Sequence, residues 1–174
     1  MAAIEPAQAT RARPGLPFLF SRLSHWVALG FGSGLIRPGP GTWGTCAGWL
    51  LFAGFDAALQ PGRMVLAAIG LLGLAVGTWA AARAGTALGE EDAGEIVIDE
   101  IVAFWWVLLL VPGDGRPLAV QAAAFTLFRL FDIAKPFPIG AIERRWPNAV
   151  GVMLDDLMAA AYALAVLWLW TWVR

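Results

Sequence analysis

From Trp43 to Val173 the chain is a run of five apolar segments: Trp43 to Leu59, Met64 to Ala82, Ile96 to Val111, Leu118 to Ile133 and Val150 to Val173. Strong breakers separate them, namely Pro61-Gly62, the glycine-bounded stretch 85–94, Pro112-Gly113-Asp114-Gly115, and Pro136 with Pro138. A helix that crosses a bilayer needs about 20 predominantly apolar residues. The shorter segments must therefore borrow residues from their flanks or lie inside a compact bundle. Hydrophobic residues make up 59% of the 174 and charged residues only 14%, which is too apolar for an ordinary soluble domain. Trp168, Trp170 and Trp172 crowd the C-terminal end, as expected of a membrane–water interface. The pattern predicts an all-α fold, a compact multi-pass membrane bundle of about five apolar helices.

The rest of the composition removes much familiar chemistry. A net charge of -1 gives no bulk attraction to nucleic acid. Cys46 is the only cysteine and His25 the only histidine, which excludes an internal disulfide, a Cys/His zinc cluster and an imidazole-based metal site. No cleavable signal peptide is expected in the first twenty residues. The stretch 14–30, with Phe18, Leu19, Leu23, Trp26 and Val27 at helical spacing, reads as a short helix on the membrane surface or against the bundle. Two regions are expected: an N-terminal tail with an interfacial segment over 1–25, and a single membrane domain over 26–174.

Successive crossings alternate direction, so connectivity assigns each loop to one of two faces. The beginning of the third segment, the end of the fourth and the beginning of the fifth share a face. That face receives Asp99 and Glu100, then Arg129, Asp132 and Lys135, then Asp155 and Asp156. It also receives the glycine-rich stretch "GFGSGLIRPGPGTWGT" (30–45) before the first segment. Nine of the twelve basic residues fall on this side, and Arg63, Arg116 and Arg174 on the other. By the excess of Lys and Arg in cytoplasmic loops, the shared face is the cytoplasmic one.

A charged group at the centre of a spanning helix costs roughly 2.5–3.5 kcal/mol on the insertion scale, so this concentration of acids needs a reason. Asp99, Glu100, Asp132, Asp155 and Asp156 offer only oxygen donors, which select Mg²⁺ or a similar hard cation. Packed carboxylates repel or take up protons unless a cation neutralises them. Each group also has a plain structural reading. Adjacent acids point about 100° apart on a helix, so one of a pair can simply face water. Asp155 and Asp156 can serve the positive end of the last helix, and Arg129 with Asp132 can be an i, i+3 ion pair. Convergence on one face favours a site. The glycines and prolines of "RPGPGTWGT" predict a tight loop whose N–H groups face an anion at the entrance of the first helix, opposite Arg129 and Lys135, natural partners of phosphoryl oxygens. Thr42 and Thr45 there can cap the helix or donate hydroxyls to a ligand.

The blocks "GFGSGLIRPGPGTWGT", "GEIVIDEIVAFW", "FRLFDIAKPFPIGAIER" and "GVMLDDLMAA" resemble, in order and spacing, the signature blocks of phosphatidylglycerophosphatase A, over roughly residues 26–162. The resemblance implies a Mg²⁺-dependent phosphomonoesterase of the bacterial inner membrane, which acts at the cytoplasmic leaflet and converts phosphatidylglycerophosphate to phosphatidylglycerol. It implies catalytic and metal-binding acids at Asp99, Glu100, Asp132 and Asp156, with Asp155 as a further metal ligand. Substrate contacts are implied at Gly41, Thr42, Gly44, Arg129 and Lys135. Attack by water activated at the cation and an aspartyl-phosphate route both stay open. A small transporter or channel with an acidic cation pathway is the alternative.

Overall fold

The computed structural model describes residues 13–112 and 117–173; the first twelve residues, the breaker Gly113-Asp114-Gly115, and Arg116 and Arg174, assigned above to a face, lie outside the described residues. Among the described residues every regular element is helical and none is a strand. Two short helices, α1 (Leu16–Leu19) and α2 (Leu23–Ala28), lead through a 3₁₀ segment (Gly30–Leu35) into α3 (Pro40–Leu59), α4 (Arg63–Leu88), α5 (Ile98–Leu110), α6 (Leu118–Ala134), α7 (Ile139–Arg145) and α8 (Ala149–Val173). The five apolar segments correspond to α3, α4, α5, α6 and α8. Two of these, α4 and α8, are long and apolar enough to cross a membrane. Leu50, Leu72, Leu169 and Trp172 are all more than 60% exposed, an outer surface that suits lipid better than water.

α5 is the centre of the bundle. It is packed by α3, α4, α6 and α8, and ten of its 13 residues are buried. At about 1.5 Å per residue it is about 20 Å long, less than the roughly 30 Å of a hydrocarbon core. This helix is therefore enclosed by its neighbours, as its apolar character on every face requires. Glycines let the neighbours approach closely. A methyl group at Gly48 would lie 3.0 Å from Ile101 Cα, and one at Gly70 would lie 2.9 Å from the Trp106 ring. Such small-residue contacts are how helices pack when lipid removes the hydrophobic drive between them. Below them Phe104 meets Trp49, Phe125 and Phe128 with ring centroids 5.7–6.2 Å apart.

Helix ends leave polar backbone groups that need partners. At the end of α5, Arg63 Nη2 donates to Leu109 O at 2.9 Å and Trp168 Nε1 to Leu110 O at 3.1 Å. At the start of α8, Asn148 Oδ1 accepts from the N–H groups of Val150 and Gly151 at 3.0 and 3.1 Å, an N-cap. Asp155 and Asp156 stand well past that first turn, where a helix dipole has faded, so helix-end stabilisation does not account for them. The expected single helix over 14–30 is instead broken at 20–22. Leu16, Phe20 and Leu23 are exposed, while His25 is buried and stacked on Phe18 at 4.1 Å. The starts of α3, α5 and α8 and the end of α6 meet at one end of the bundle, where the site lies.

Candidate active site

Asp99 and Glu100 occupy the first turn of α5, and Asp156 comes from the second turn of α8. One carboxylate oxygen from each lies within 4.8 Å of the other two. Asp99 and Asp156 are 6% and 4% exposed, so little water reaches them. At 4.8 Å and an effective dielectric of about 20, two carboxylates repel by roughly 3 kcal/mol. Three such groups stay ionised side by side only if cations offset them; otherwise they take up protons.

Arg129, on α6, supplies one cation. Its Nη1 lies 2.6 Å from Asp132 Oδ2, one helical turn on, and 3.7 Å from Glu100 Oε1. The guanidinium also lies 3.4 Å from Thr45 Oγ1, and Thr45 in turn donates to Gly41 O at 2.8 Å. These contacts fix Arg129 between the acids and the start of α3. Gly41 is needed there, because a methyl group would run into Glu100 Oε1 and stand 3.0 Å from Arg129 Nη2. The N-cap Gly39 has φ +70°, a left-handed conformation natural to glycine, and it turns the chain so that α3 begins at Pro40 beside this group. A helix start next to an arginine is a place that welcomes phosphate.

The structure sorts the residues expected from sequence into groups. Asp99, Glu100 and Asp156 come together directly, and Asp132 joins them through Arg129. Asp155 turns to Lys135 instead: its Oδ2 accepts from Nζ at 2.9 Å and its Oδ1 from the Asp156 N–H at 3.0 Å. Gly41 borders the acids. Gly44 packs against Val97, whose carbonyl oxygen would be 3.2 Å from an added methyl, and so sets the spacing of α3 and α5. Thr45 is the hydroxyl that reaches Arg129, while Thr42 adjoins Gly39. The expected loop "GTWGT" is the first turn and a half of α3, because proline at the first helical position is compatible with a helix start.

One pair beside the site escapes sequence reasoning. Arg37 Nη2 contacts the buried Glu95 Oε1 at 2.6 Å, joining the segment before α3 to the one before α5. No local spacing announces an ion pair 58 residues apart, although both residues lie inside the quoted blocks.

Whether these residues fit a metal can be tested on their own hydrogen bonds. Glu100 Oε2 and Asp156 Oδ2 are buried acceptors without a partner, and Arg129 Nε is a buried donor without one. An unsatisfied buried polar group costs about 1–3 kcal/mol; His25 Nε2 and Trp106 Nε1 are others, but here three such atoms gather around the carboxylate trio. An all-oxygen trio with two open acceptors suits a hard divalent cation, and the open donor beside it suits an anion.

Comparison with known proteins places the chain in a family. The chain is 40% identical over 142 residues to phosphatidylglycerophosphatase A of Haemophilus influenzae, covering 82% of this chain and 85% of that one. It is 31% identical over 147 residues to phosphatidylglycerophosphatase A of Escherichia coli, covering 83% and 81%. A Bacteroides thetaiotaomicron protein with the provisional name phosphatidylinositol-3-phosphatase is 36% identical over 149 residues, covering 84% and 92%. No solved structure matches. The family model described as phosphatidylglycerophosphatase A matches residues 26–171, a span that holds every acid, base and glycine of the site, and the chain belongs to that family of phosphatases.

Proposed function

We propose that this protein is a Mg²⁺-dependent phosphatase that removes the terminal phosphate of phosphatidylglycerophosphate, leaving phosphatidylglycerol, at the cytoplasmic face of a bacterial inner membrane. The observation that carries this is the pair of open acceptors, Glu100 Oε2 and Asp156 Oδ2, beside the open donor of Arg129. The relatives' names support the substrate. The Bacteroides name changes the headgroup but keeps a lipid phosphomonoester, so the reaction class is common to all three. The apolar outer surface and the five apolar segments support several crossings. Arg37, Arg83, Lys135, Arg144 and Arg145 near the ends that meet at the site support its cytoplasmic side. Family membership does not favour the cation-pathway alternative.

Phosphoryl transfer needs positioning and charge neutralisation above all. Asp99, Glu100 and Asp156 would hold the cation, which supplies charge neutralisation and polarises a phosphoryl oxygen when bound. Arg129 is already oriented by Asp132 and Thr45, so it meets the phosphoryl group without reorganising. The start of α3 adds N–H donors, and Lys135, 29% exposed in its side chain, stands at the rim. A site carboxylate takes the proton of an attacking water. Direct attack by Asp99 or Asp156 is the competing route, and hydroxylamine trapping of an acyl phosphate distinguishes the two.

Purified protein in detergent should release phosphate from phosphatidylglycerophosphate with Mg²⁺, lose that activity in EDTA, and regain it when Mg²⁺ is restored. Phosphatidylinositol 3-phosphate and phosphatidate, assayed in parallel, read the headgroup preference. Undiminished turnover in EDTA, or no turnover of any lipid phosphomonoester, would overturn the proposal.

A further inference from the structure

The acids of the site do not all stand alike. One oxygen each from Asp99, Glu100 and Asp156 lies within 4.8 Å of the other two, and Asp155 is not part of that group. Successive helical residues point about 100° apart, so α8 presents Asp156 to Asp99 and Glu100 and turns Asp155 aside. There Lys135 Nζ donates to Asp155 Oδ2 at 2.9 Å, and the other oxygen accepts from the Asp156 N–H at 3.0 Å. The Asp155 side chain is 6% exposed and that of Lys135 29%, so the pair runs from the packed interior to the open rim.

Lys135 ends α6 at φ 40°, ψ 55°, the left-handed conformation that helix ends usually give to glycine or asparagine. The backbone alone marks nothing, since Gln60 ends α3 similarly with its side chain exposed. Lys135 instead sends its ammonium to a buried carboxylate on another helix. Arg129, six residues earlier, is held in the same manner by Asp132 at 2.6 Å. Two cationic side chains toward the end of α6 thus each have an aligning acid, while Glu100 Oε2 and Asp156 Oδ2 stay open. An acid committed to an ammonium is a poor metal ligand, because the metal must first displace the lysine.

We infer that Asp155 is a positioning residue that aims Lys135 at the terminal phosphate, and is not a ligand of the cation. The inference rests on the lipid-phosphatase reading and deepens it: three acids hold the cation, and two, Asp132 and Asp155, each orient a cationic side chain. An ammonium is a compact charge on a flexible stem, so it depends on such a hold, and a donor fixed beforehand needs no reorganisation when the phosphate arrives.

The test reads metal and lipid separately on the full chain in detergent, with Mn²⁺, followed by its EPR signal, as the metal probe. Asp155→Asn combined with Lys135→Gln removes the pair without changing the net charge. This double variant should bind Mn²⁺ as tightly as wild type, whereas Asp156→Asn should bind it about tenfold more weakly or worse. Lys135→Gln should weaken use of phosphatidylglycerophosphate by about tenfold, chiefly in KM, as expected of a contact made to substrate and transition state alike. The double variant should raise KM no further, because Asp155 acts on the lipid only through Lys135. Asp155→Asn alone should also raise KM. An unchanged or lower KM in folded Asp155→Asn means that Asp155 merely joins two helices or competes with the phosphate for the lysine, and overturns the positioning role. Should that variant fail to fold, the double variant decides: Mn²⁺ binding weakened as in Asp156→Asn makes Asp155 a ligand, a KM above that of Lys135→Gln gives it an independent role, and either overturns the inference. A wild-type protein that hydrolyses no lipid phosphomonoester overturns the phosphatase reading instead, and the Mn²⁺ titration still decides whether Asp155 is a ligand.

Discussion

At the far end of α5 the carbonyls of Leu109 and Leu110 are each met by a donor, from Arg63 and Trp168, whereas around its near end the acceptors Glu100 Oε2 and Asp156 Oδ2 are buried without a donor and Arg129 Nε without an acceptor. The backbone end of α5 is thus closed where the helix only needs to be held, while open atoms from α5, α6 and α8 gather where a ligand is expected; Trp106 Nε1, farther along α5, is a buried donor without a partner too. Buried polar atoms are normally satisfied. The contrast between the ends therefore separates groups kept for stability from groups kept for chemistry, which charge or burial alone does not do. Asp155 makes the same point within the site, since both its oxygens are taken, by Lys135 and by the Asp156 N–H.

The sharpest way to break the comparison is at the open end. Asp99→Asn and Asp156→Asn should each lower kcat by about 10³-fold, on the scale of losing a group that stabilises transition-state charge. The folded protein should be no less heat-resistant, because a repelling carboxylate has gone. Phosphate release and thermal unfolding in detergent, measured on the same preparation, check both halves. A variant that loses stability in step with activity would put these acids in the structural class.

Arg129 tests the middle ground, as it serves both purposes. Arg129→Met leaves Asp132 and Glu100 without their cation, and breaking a buried pair of this kind costs about 3–5 kcal/mol. Arg129→Lys should restore much of that stability and little of the turnover, because an ammonium lacks the planar fork that spans Asp132, Thr45 and a phosphate. Expression level in membranes and kcat separate the two outcomes. The smallest effects belong to the closed end. Arg63→Met and Trp168→Phe each remove one hydrogen bond at a half-exposed helix terminus, a loss of about 1 kcal/mol. Each should lower the unfolding temperature slightly with kcat/KM unchanged.

Much of this was legible in the sequence, for identifiable reasons. The breakers at 61–62 and 136–138 bound the apolar runs closely, so Leu118–Ala134 and Ala149–Val173 emerge almost as read. α4 runs on from Ala82 to Leu88, because Arg83 and its successors can stay helical after the apolar run stops. Alternation of direction brought Asp99, Glu100, Arg129 and Asp156 to one end without any knowledge of contacts. Their division was not legible. That Asp155 faces Lys135 while Asp156 faces Asp99 depends on the rotation of α8 about its axis, which one sequence does not encode locally. The Arg37–Glu95 pair and the hold of Thr45 on Arg129 are hidden similarly, since each joins elements far apart in the chain. The start of α3 was misjudged because a run of Gly and Pro signals a turn even when its last proline opens a helix.

The shortness of α5 also governs how the protein is made. Thirteen residues that open with two acids carry too little greasy length to enter a bilayer unaided, so in a membrane α5 must arrive as the second arm of a hairpin with α4. Insertion and assembly of the acid cluster then become a single event. A bulkier residue at Gly77, where an added methyl would come within 3.2 Å of Ile98 and 3.3 Å of Met153, would therefore show itself first as protein that the cell discards.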